Sequence, residues 1–159
     1  PTIVVGADSA YGFYDTFKLI TERRFWFFPS NGSNKIHLVH INDVIDMVVR
    51  VAESKSSNGQ IYNICGDIIY NSKQLFDFVY KYLGVTQPFI KIPRKIVMFS
   101  KKMFICRIIL NNFPLEILDY FIYNQTYSNK KITSLIGNRC YSDPLDGLKL
   151  ILDSYSCKK

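Results

Sequence analysis

Short continuous apolar runs alternate along this chain with segments of helical periodicity, and that alternation narrows the possible folds more than any other feature. Pro1-Thr2-Ile3-Val4-Val5, ending in Gly6, reads as a buried parallel strand that gives way to a loop at its carboxyl end. Residues 11–24 suit a helix. Residues 25–28 suit a second strand, closed by the turn cluster Pro29-Ser30-Asn31-Gly32-Ser33-Asn34, and 36–41 a third. A helix is expected to start at Asn42-Asp43, with Asp43 as its cap, Asp46 in its first turn and an apolar face of Val44, Met47, Val48 and Val51. Residues 60–65 read as a fourth strand. Ser72 is expected to cap a helix carrying Leu75, Phe76, Val79, Tyr82 and Leu83 at helical spacing, with Gly84 as its stop. Past Pro88 and Pro93, residues 94–110 read as a basic, apolar helix and 115–123 as a short one. Residues 128–136 form a helix leaving at Gly137, and the last helix starts at Asp143-Pro144 with Leu145, Leu148, Ile151, Leu152 and Tyr155 on one face. Strands interleaved with helices define an α/β class. There are no internal repeats.

The chain has 159 residues, 48% of them apolar, which is enough for one domain with a real core and excludes disordered and collagen-like classes. The greasiest stretch, residues 96–110, is split by Lys101, Lys102 and Arg107, so no run reaches the roughly 18 apolar residues that span a membrane. The opening Pro1-Thr2-Ile3 has no methionine, basic n-region or cleavage site and is not expected to be a signal peptide. Cys65, Cys106, Cys140 and Cys157 form no CxxC, which suits a reducing, cytoplasmic setting and gives no zinc spacing. His37 and His40 stand three apart in an expected strand, hence on opposite faces, so no metal site is expected.

Charge is distributed unevenly. Between Phe78 and Leu115 no Asp or Glu occurs, while Lys81, Lys91, Arg94, Lys95, Lys101, Lys102 and Arg107 supply seven cations; the whole net charge of +7 lives in that segment. Such a segment suits an anionic small molecule, an acidic membrane surface or nucleic acid, or is the solvated side of helices. Nucleic acid is not expected, because the aromatics fall on apolar faces instead of interleaving with the cations.

Several landmarks then occur in a recognisable order: Pro1-Thr2-Ile3-Val4-Val5-Gly6, Leu38-Val39-His40-Ile41-Asn42-Asp43-Val44, Gly59 followed by Tyr62-Asn63-Ile64 and Gly66, and the helix ending Tyr82-Leu83-Gly84. Tyr127-Ser128-Asn129-Lys130-Lys131, Leu135-Ile136-Gly137 and Asp143-Pro144-Leu145-Asp146-Gly147-Leu148 complete the series. Together they resemble, over nearly the whole chain, the carboxyl-terminal portion of the extended short-chain dehydrogenase/reductases, the NAD-dependent epimerase/dehydratase family. The opening strand and Pro93-Arg94 look most like the branch of dihydroflavonol reductases and 3β-hydroxysteroid dehydrogenase-like proteins.

The resemblance implies the C-terminal part of a Rossmann-type NAD(P)-binding fold with a mostly helical substrate-binding lobe. Residues 1–6 and 60–65 would be the last strands of the nucleotide-binding sheet, and 25–41 and 88–159 the lobe. It implies NAD or NADP as cofactor, held mostly by a missing N-terminal half, because no GxxGxxG or GxGxxG occurs here. It places Pro1 and Thr2 beside the nicotinamide, and Val5 and Gly6 beside a small-molecule substrate. No catalytic residue is expected in this chain, since the family's YxxxK should precede Pro1. The YxxxK at Tyr127 to Lys131 matches the family's terminal helix instead, and is expected to be a helix start with a tyrosine packed beneath it. Nucleotide-sugar enzymes of the family place an arginine four residues before the strand histidine. Ile36 stands there, with Lys35 or His37 as substitutes after a one-residue shift. Asp43 is read as a cap and not a catalytic acid, and Tyr62 and Asn63 as strand and packing residues. The reading is thus the substrate-binding portion of an NAD(P)-dependent oxidoreductase or epimerase acting on a hydroxyl or keto group. Its rival is a noncatalytic basic module of the same fold that docks on a membrane surface or partner.

Overall fold

A computed structural model describes residues 1–7, 16, 20, 22, 27–87, 90–102 and 119–156. The chain divides into two compact units, one of Pro1–Ala10, His37–Ile69 and Thr126–Lys159 and one of Tyr11–Ile36 and Tyr70–Gln125.

The sheet that runs through the first unit starts with β1 (Ile3–Val5), which pairs in parallel with β3 (Lys35–His40) in the register Ile3 to Leu38, Val4 to Val39 and Val5 to His40. β4 (Ile69–Asn71) lies on the other side of β3. Ile36, Leu38 and Val39 are fully buried, as a strand covered on both faces requires. Residues 60–65, expected as a strand, make no ladder. They contribute single bonds, Thr2 N–H to the Ile64 carbonyl at 2.8 Å, with Gly66 N–H to the Leu38 carbonyl at 3.2 Å just beyond them.

Helix α1 (Ile41–Glu53) follows β3 directly, and its cap is not Asp43. His40 is the N-cap, its Nδ1 accepting from the Asn42 N–H at 3.2 Å. With the cap three residues earlier, Asp43 falls in the first turn, where it is buried. The expected cap at Ser72 is likewise one residue off. Asn71 caps α2 (Ser72–Leu83) in a reciprocal capping box with Gln74, at 2.8 and 2.9 Å, while Ser72 is buried. Gly84 ends α2 in the left-handed conformation, as expected. Helix α2 belongs to the second unit; with α1, the first unit holds α5 (Lys130–Ile136) and α6 (Pro144–Ser156). Leu148, Ile151 and Leu152 of α6 are buried, and Asp143 caps it by accepting from the Leu145 N–H at 2.9 Å. Gly147 lets α6 approach β1: a Cβ there would stand 2.8 Å from the Val5 carbonyl oxygen.

The second unit holds β2 (Phe27–Pro29) paired in parallel with β5 (Ile90–Ile92), then α3 (Arg94–Lys102) packed against α4 (Asp119–Ile122). The units cut the chain differently from the expected lobe of 25–41 and 88–159, since residues 37–41 and 126–159 belong with β1. The β1–β3 ladder and the seat of α6 on β1 account for that. Of the expected helix over 11–24 and the basic stretch beyond Lys102, most residues lie outside those described.

Candidate functional site

β2 and β5 run parallel, so their carboxyl ends open on the same side, the position at which α/β sheets bind ligands. A cavity of about 600 Å³ lies there, lined by the residues that leave the two strands, Ser30, Asn31 and Ser33 after β2 and Pro93 and Arg94 after β5, with Lys91, Asn34, Ile122 and Asn124. The ends are held together by the Ser30 N–H, which donates to the Ile92 carbonyl at 2.7 Å.

The lip after β2 is rigid for local reasons. Ser30 adopts φ 73°, a conformation costly for a residue with a Cβ, and Gly32 φ 74°. The Asn31 carboxamide oxygen accepts from the Ser33 N–H at 3.1 Å and the Ser33 hydroxyl at 2.7 Å, which stitches the turn. Three further bonds pin it to the start of α2. Ser72 Oγ donates to Asn34 Oδ1 at 2.6 Å in a buried pair, and the Ser72 and Lys73 N–H groups donate to the Asn34 and Gly32 carbonyls at 2.9 and 3.0 Å. The burial of Ser72 therefore serves the cavity wall.

Two cations face this cavity without counter-charge. The Arg94 guanidinium lies 5.9 Å from the Tyr123 ring centroid, and neither Arg94 nor Lys91 has a carboxylate partner among the described residues. With amide and hydroxyl groups around them, they suit an anionic or polyhydroxylated ligand. Sequence reasoning placed both residues in the acid-free segment, for which an anionic small molecule is one of the expected partners. The position expected to carry an arginine, Ile36, is core, and His37 cannot replace it. His37 Nε2 is 2.7 Å from the Gly66 carbonyl, and its Nδ1 accepts from the Tyr127 N–H at 3.4 Å, so both ring nitrogens are engaged. Lys35 is exposed, but it does not line the cavity either.

The residues expected beside cofactor and substrate lie in the other unit. Pro1 is exposed and Thr2 half-buried, and Thr2 Oγ1 is buried without a hydrogen-bond partner. Val5 and Gly6 are buried, and a Cβ at Gly6 would collide with the Ile41 side chain. None of the four lines the cavity.

Asp43 proves to be the centre of an ion-pair cluster. It is 2% exposed and bonds Arg139 Nη2 at 2.6 Å, the Ser142 N–H at 2.9 Å and the Ser142 hydroxyl at 3.2 Å, while Arg139 Nη1 reaches Asp46. Every one of those bonds ties α1 to the segment before α6, so the carboxylate is structural. No signal in the sequence pointed to Arg139.

The YxxxK at Tyr127 to Lys131 does not form an acid/base pair. Lys131 Nζ donates to Gln60 Oε1 and the Ile61 carbonyl, both at 3.0 Å, and lies 4.9 Å from the Tyr62 ring centroid. Tyr127, expected beneath its helix, is 52% exposed instead. Its carbonyl accepts from the Cys65 thiol at 3.6 Å, and burial, with Asp67 nearby, pushes that thiol's pKa up. Among the described residues no group of three or more His, Cys, Asp or Glu could hold a metal.

The fold is α/β and is similar, as a fragment, to solved structures that include NAD-bound epimerases and dehydratases. One similar solved structure is UDP-glucuronic acid 4-epimerase from Bacillus cereus in complex with UDP-glucuronic acid and NAD, 18% identical with a TM-score of 0.66, the match covering 99% of this chain and 44% of that one. Another is gox2253, 16% identical with a TM-score of 0.70 over 99% of this chain and 48% of that one. A third, RMD from Pseudomonas aeruginosa complexed with NADPH, is 10% identical with a TM-score of 0.62 over 98% and 46%. At these identities the likeness is one of fold, and the chain spans less than half the length of the solved structures it matches. No protein-family model and no curated protein matches the sequence.

Proposed function

We propose that this chain is the substrate-binding, carboxyl-terminal portion of an NAD(P)-dependent oxidoreductase or epimerase acting on a hydroxyl or keto group, and that the cavity beyond β2 and β5 holds an anionic part of the substrate. The observation that carries the reading is the pair of uncompensated cations, Lys91 and Arg94, at the carboxyl ends of two parallel strands. A charge-assisted bond from such a cation is worth about 1.5–3 kcal/mol, enough to fix one end of a substrate.

The residues present do not fit the dinucleotide by themselves. The sequence lacks the glycine-rich turn whose N–H groups receive the pyrophosphate, and Lys131 of the YxxxK bonds Gln60 and Ile61. Hydride transfer is therefore assigned no step here, and this chain's part is to bind and orient. For Pro1, Thr2, Val5 and Gly6 the proposal is a place beside nicotinamide and substrate in the presence of a nucleotide-binding half, resting on the family resemblance of the opening strand.

Calorimetric titration tests both halves of the proposal. Pyrophosphate, as a probe of the cavity, should bind the parent chain and lose that binding in Arg94→Gln, whereas NAD(H) and NADP(H) should show no micromolar affinity. Pyrophosphate binding that Arg94→Gln leaves intact would sink the cavity assignment, and micromolar dinucleotide binding would sink the division of labour.

A further inference from the structure

We propose that the outer face of α3 docks the protein on an anionic lipid bilayer. Val97 is buried and seats the helix, which leaves Ile96 57% and Phe99 65% exposed, with Met98 and, on β5, Ile90 also exposed. Large apolar side chains standing outward on one short helix are costly in water and gain by entering a headgroup boundary. Their surroundings select the kind of boundary. Lys95 adjoins them on the exposed helix, and no Asp or Glu occurs from Phe78 to Leu115.

A contrasting surface exists in the first unit. Ile45, Val48 and Val49 of α1 are also half exposed, but that helix carries Asp43, Asp46 and Glu53. Exposed apolar residues stand elsewhere too, at Ile61, Ile68, Ile69 and Leu150, all of them outside the acid-free run of cations to which α3 belongs. The complementarity is to negative charge spread over a surface, because Lys95 and Phe99 are outside the cavity that Lys91 and Arg94 line. The docking is peripheral: among the described residues no helix is long and apolar enough to cross a membrane.

Co-sedimentation with vesicles tests the proposal, using phosphatidylcholine vesicles with and without phosphatidylserine. The parent should bind only the phosphatidylserine-containing vesicles and release as salt rises. Lys95→Glu should weaken binding about fivefold or more, and Ile96→Ser with Phe99→Ser more than about tenfold. These side chains are exposed, so circular dichroism and pyrophosphate titration should stay unchanged and report an intact fold and cavity. No binding by the parent, equal binding to neutral vesicles, or full binding by the double serine variant each overturns the proposal. A concentration-dependent oligomer that the same serines dissolve, without vesicle binding, would give the face to a second copy of the chain and also overturn it. The pyrophosphate arm fails independently, so a lost cavity and a lost membrane surface are told apart.

Discussion

Each unit of this protein stacks an arginine near a tyrosine, and the two arginines have different fates. In the first unit the Arg139 guanidinium lies 5.3 Å from the Tyr141 ring centroid and is 17% exposed between Asp43 and Asp46. In the second, Arg94 lies 5.9 Å from the Tyr123 ring centroid with no carboxylate among the described residues and an open cavity beside it. The aromatic contact is common to both, so it does not distinguish structure from function. Counter-charge does: an arginine whose charge is spent inside the fold holds the fold, and one whose charge is unspent is available to a ligand.

The largest break in that comparison should come from Arg139→Ala. Removing one partner of a buried pair leaves Asp43 charged and desolvated, which costs about 3–5 kcal/mol, and urea unfolding would read it. A loss under about 1 kcal/mol would mean that water already solvates the cluster. Arg94→Gln should do the opposite. Unfolding stability should stay within about 0.5 kcal/mol of the parent, while pyrophosphate affinity falls by about tenfold or more, the equivalent of at least one charge-assisted hydrogen bond.

Ser72→Ala sharpens the account of the cavity wall. It removes the buried 2.6 Å bond to Asn34 Oδ1 and should cost about 1–2 kcal/mol in urea unfolding. It should also weaken pyrophosphate binding although Ser72 does not line the cavity. If stability falls and affinity does not, the lip is held by the Asn31 turn alone. The smallest effect belongs to Tyr127→Phe, a half-exposed phenol whose loss should change stability by less than about 0.5 kcal/mol. Joined to a nucleotide-binding half, the variant should turn over substrate as the parent does. A hundredfold drop, the mark of a lost general acid or base, would show that the acid/base residue is in this chain after all.

How much of this was legible beforehand depended on the range of the interaction. Helix periods and glycine stops lie within a few residues, and α2 with Gly84, α5 with Gly137 and α6 with its Leu148, Ile151 and Leu152 face appear where the pattern placed them. Caps were read less well. Asp43 and Ser72 are good caps by residue type, yet both are drawn inward by partners elsewhere, and His40 and Asn71 take over the local role. The terminal YxxxK shows the converse. Its spacing fits a catalytic pair, but Lys131 is engaged by residues 60–62, which no local pattern reveals.

The sequence by itself determined the α/β class, the helices α1, α2, α5 and α6 and the gathering of the net charge into one acid-free segment, because each follows from side-chain periodicity or from composition. The tertiary structure decided which of those charges are neutralised. Asp43 and Arg139 are 96 residues apart and meet only because α1 and the segment before α6 fold together, whereas Lys91 and Arg94 are left facing a cavity by the parallel pairing of β2 with β5. Coulomb attraction acts through space and burial strengthens it, so a charge acquires its role from whatever neighbours the fold brings to it.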